Sequence, residues 1–181
     1  AKPLGRGQFV LGKYAGLAMT LVVNLSVMTA AFYLVLLYMD VVTPAGIKAA
    51  WPAPALDPRL ALAVAMTIAE LLLVTAVALF FSTFSSPLLS ALFTFGLWVA
   101  GHFNADLRNF EAVLDVTPLV LFARTLYYVL PNLAPFNIRA EVVHGVAVPA
   151  SQVVLTLAYA AVYIAILLAG AVAVFRRRDF K

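Results

Sequence analysis

No acidic or basic side chain interrupts the chain between Lys13 and Asp40, and the same holds from Val153 to Phe175, just ahead of Arg176, Arg177 and Arg178. At about 1.5 Å rise per residue, roughly 20 apolar residues cross a hydrocarbon core about 30 Å thick, so both stretches are long enough to span a membrane. Leu60 to Phe81 has the same pattern, broken only by Glu70, and Leu88 to Gly101 is a shorter apolar run. The pattern predicts an all-α integral membrane protein, a single transmembrane domain with four transmembrane helices over residues 14–39, 60–81, 88–101 and 153–175.

The polar segments divide these spans. Residues 1–13 are basic and amphipathic, loosened by Gly5, Gly7 and Gly12, and are expected to lie at the membrane surface. Asp40 through Arg59 is expected to be a loop, since Pro44, Pro52, Pro54 and Pro58 cannot continue a helix. The run Ser82 to Ser86 and then Pro87 predicts a turn, because Ser hydroxyls compete for backbone groups and Pro starts the next helix well. Residues 102–152 mix charges with aromatics, and within them Leu119 to Leu130 is too short to cross. It is expected to lie at the outer interface or to dip in and return, as a re-entrant or interfacial helical segment. Backbone of that kind survives at membrane depth only where protein or water satisfies it.

Composition agrees with a life in lipid: 65% of the residues are hydrophobic, 11% are charged and the mean hydropathy is +1.03, values that exclude an ordinary soluble domain. The absence of cysteine excludes disulfides and thiolate metal sites. A net charge of +4, gathered toward the two ends, does not make a nucleic-acid surface. Charge does orient the chain. With both ends in the cytoplasm, that side holds Lys2, Arg6, Lys13, Arg176, Arg177, Arg178 and Lys181 against Asp179 alone, whereas the outer side balances its five basic residues with six acids. The excess of Lys and Arg favours this topology.

Candidate chemistry is sparse. Gly7 to Lys13 has the spacing of a phosphate-binding loop, but Tyr14 stands where a magnesium-binding Ser or Thr is required and a transmembrane helix comes next. Gly12 and Gly16 are better read as a small-xxx-small pair that admits a neighbouring helix. Glu70 is an acid inside a span, where an ionised carboxylate costs at least ~2.5 kcal/mol, so it requires a partner or a proton. Its reading is either a contact for a substrate, ion or proton, or a packing glutamate bonded to Thr67, Asn24 or another subunit. Asn24 is the second intramembrane polar candidate. His102 and His144 lack metal-ligand spacing, no nucleophile elbow occurs, and neither a metal, a cofactor nor a catalytic residue is expected.

Four stretches in order, residues 2–16, the turn from Phe81 to Ser90, Tyr127 to Asn137 and the ending Phe175 to Phe180, resemble the permease subunits of type-2 ABC exporters, and within them the branch grouped with permeases for multicopper-enzyme maturation. The resemblance implies that Pro3, Arg6, Gln8, Gly12 and Lys13 form a cytoplasmic coupling helix docked on a separate ABC ATPase subunit. It implies an outer re-entrant element carrying Tyr127, Tyr128, Pro131 and Asn132, a second permease copy, and the cell membrane of a prokaryote. By the same comparison the chain begins after the family's second helix, and hydrolysis belongs to the partner rather than to this chain. A non-transporting membrane scaffold or assembly factor is the other reading.

Overall fold

The computed structural model describes residues 5–51, 54–102 and 130–177, and all regular structure among them is helical. Helix α1 runs from Arg6 to Val42. The Gln8 side chain accepts the Gly5 N–H at 3.0 Å and so satisfies a donor at the helix start. Thr43 ends it by returning both its N–H and its hydroxyl to the Met39 carbonyl, and Pro44 comes next. A short α2, Ala45–Lys48, is tied back by an ion pair of 3.2 Å between Lys48 and Asp40.

Helix α3, Arg59–Ser82, starts where Asp57 accepts the Arg59 N–H at 2.8 Å. Its last carbonyls, those of Leu79, Phe80 and Phe81, are taken by the hydroxyls of Ser82, Thr83 and Ser85. The predicted turn is therefore a set of side-chain caps, and α4, Pro87–His102, opens with proline at its first position. Beyond it come a 3-10 turn at Ala134–Phe136, a short α5 at Arg139–Val143 stopped by Gly145 at φ 70°, and α6, Ala150–Arg177.

Among the described residues three helices, α1, α3 and α6, are long and apolar enough to cross a membrane. Helix α4 is shorter, 16 residues, which at about 1.5 Å each reaches about 24 Å. Helix α3 sits at the centre: α1, α4 and α6 pack around it, and Leu133, Phe136, Ile138 and Val142 close over its first half beside Ala63, Met66 and Ala69. At the other end Val10, Leu79 and Ala171 join α1, α3 and α6. Phe9 stacks on Phe175 at 5.8 Å, so the start of α1 and the end of α6 share what we call the basic end.

Two expectations change here. Residues 6–13 are not a separate surface segment but the first turns of α1, because Val10 is buried between α3 and α6 and Gly7 lets Val172 approach a would-be Cβ at 3.4 Å. Gly12 and Gly16 face no neighbour within 4 Å among the described residues, so neither admits any of the described helices.

Candidate functional site

Two polar side chains of α4, Trp98 and His102, meet the buried Glu70, which is 5% exposed and lies halfway along α3. Its Oε1 accepts the Trp98 indole N–H at 3.1 Å and stands 3.4 Å from His102 Nε2. The other imidazole nitrogen, Nδ1, lies 3.1 Å from the Trp98 carbonyl, and the two rings are 4.8 Å apart. Trp98 and His102 are four residues apart on one helix and so share a face.

A carbonyl oxygen can only accept, so the contact of Nδ1 with the Trp98 carbonyl is one that an Nδ1–H makes, and Nε2 is left facing the carboxyl. The Trp98 indole N–H and the His102 ring give the buried carboxyl the polar partners it requires in hydrocarbon. What the arrangement offers chemically is a carboxyl and an imidazole within reach of one another where α4 stops.

The stop itself is built by Gly101. A Cβ there would lie 2.8 Å from the Pro131 carbonyl oxygen and 2.9 Å from Leu133 side-chain carbons, so only glycine lets the returning backbone come this close. Leu133 N–H donates to the Gly101 carbonyl at 3.0 Å, and Asn132 N–H donates to the Tyr159 hydroxyl of α6 at 2.9 Å. Asn132 Oδ1 accepts the Ala134 N–H at 3.2 Å. Pro131 and Asn132 thus seat, between α3, α4 and α6, a strap that holds no more than the 3-10 turn at Ala134–Phe136.

Asn24 is elsewhere. Its amide donates to the Thr20 carbonyl of its own helix at 2.9 Å, on an exposed face, and Thr67 bonds the Ala63 carbonyl. Both are expected from sequence as partners of Glu70, and the structure gives it Trp98 and His102 in their place. Gln8 caps α1, Gly12 is open, and Lys13 lines a cleft of about 440 Å³ with Ser82, Ser85 and Ser90 at the basic end. Arg6 begins α1, while Pro3, Tyr127 and Tyr128, with residues 119–129 of the expected re-entrant segment, lie outside the described residues. No three His, Asp or Glu residues come together among the described residues.

The partners of Glu70 were missed, although the sequence held a signal for them. If the turn is centred on Phe84, antiparallel helices bring together residues equally distant from it. Glu70 and Trp98 are such a pair, and so are Ala78 and Ser90, which bond at 3.1 Å. Comparison with family models, with curated proteins and with solved structures finds no match to this chain.

Proposed function

We propose that the chain is the membrane-embedded permease subunit of an ATP-driven exporter, contributing to a translocation path and drawing its energy from a separate ABC ATPase. The observation that carries this reading is the short α4, ending at His102 beside the buried Glu70 and met there by the backbone from Pro131 to Ile138, whose regular structure is a single 3-10 turn. Non-helical backbone at membrane depth is retained where protein covers it or where it lines a path, and broken or short helices are common in transporters. A simple anchor needs none of this.

The order of segments shared with type-2 exporter permeases supplies the finer reading. Four crossings, with the end of α4 and the strap completing the third, put both described ends of the chain in the cytoplasm of a prokaryotic cell. On that reading Pro3, Arg6, Gln8, Gly12 and Lys13 belong to the surface that meets the ATPase. Phe9 and Leu11, about half exposed there, supply apolar contact area beside those charges. A second permease copy completes the path.

Affinity purification from the native membrane tests the reading. An ATPase that accompanies the parent chain and is lost from Arg6→Glu and Lys13→Glu is the expected result. Recovery of outer-face partners alone, unchanged by charge reversal, would overturn it in favour of a non-transporting scaffold.

A further inference from the structure

We draw no further inference here: the strongest candidate, the outward face of α1 on which Gly12, Gly16, Thr20 and Asn24 stand exposed at successive turns, is unpartnered among the described residues, and nothing in the structure shows what covers it.

Discussion

A carboxyl at the middle of a membrane helix is tolerable only through its neighbours, and Glu70 has two. Replacing it with Ala leaves the Trp98 N–H without its acceptor inside the protein, a loss of about 1–3 kcal/mol. Glu70→Gln keeps an amide oxygen for Trp98 and is expected to recover most of that loss. Thermal unfolding in micelles, monitored by tryptophan fluorescence, separates the two variants. Equal destabilisation by both would mean that the contact of the carboxylate with His102, and not the indole bond, holds the site together. A second residue-scale prediction concerns Asp57, in the loop before α3. The Arg59 side chain, bonded to both carboxylate oxygens, and then the Arg59 backbone N–H hold its carboxyl below the ordinary value of 3.8. A folded-state pKa below the unfolded one stabilises the fold fully above the unfolded value and loses that contribution as pH falls through the folded value. The clamp from Asp57 through Arg59 to Gly145 is therefore expected to be indifferent to pH above about 4 and to loosen below it. Proteolysis of the loop around Gly145, compared between the parent and Asp57→Asn across that window, checks the sign: the variant should already be cut at neutral pH, with little further change on acidification.

Among the elements, the junction of α4 with the strap is the most sensitive to one atom. Gly101→Val puts carbon where the Pro131 carbonyl and the Leu133 side chain already stand, and neither can withdraw, since Leu133 is fully buried. Overpacking of this kind costs about 1–3 kcal/mol and is expected to lift the strap from α4. Faster hydrogen exchange at Leu133 and Asn132, whose N–H groups bond across this junction, would report it; unchanged exchange would show that α4 itself gives way. The helices as such were legible from the sequence because charge-free runs and Ser/Pro punctuation are local signals: α3 and α4 begin and end within a residue or so of the predicted spans. Where α1 begins was not legible, because Val10 and Phe9 are held by α3 and α6, and long-range packing overrode the loosening effect of three glycines. The strap from Pro131 to Ile138 has no periodicity to read at all. Its place depends on Gly101, which in sequence is only the end of an apolar run. Glu70 was identified by its charge, but Trp98 and His102 looked like an interface anchor and a surface histidine until the hairpin about Phe84 brought them alongside.

For the whole molecule, the packing of Phe9 on Phe175 fixes the start of α1 and the end of α6 at the same end, so three long helices alone cannot satisfy the topology. An odd number of crossings would leave those ends on opposite sides. The four-crossing reading proposed above has α4 and the strap from Pro131 share the remaining crossing, since α4 is too short to make it unaided. The chain has no cysteine, which makes single-cysteine labelling a direct test. Leu11→Cys and Ser86→Cys, at exposed positions of the basic end and of the α3–α4 turn, are expected to react with a membrane-impermeant maleimide only after the cells are opened. Ile47→Cys and Val146→Cys, at exposed positions in α2 and just after α5, are expected to react in intact cells. Labelling of Val146→Cys from the same side as Ser86→Cys would mean that the chain turns back at His102 without crossing. In that case α4 and the strap would form a hairpin dipping from one face, and Glu70 with His102 would lie at its tip.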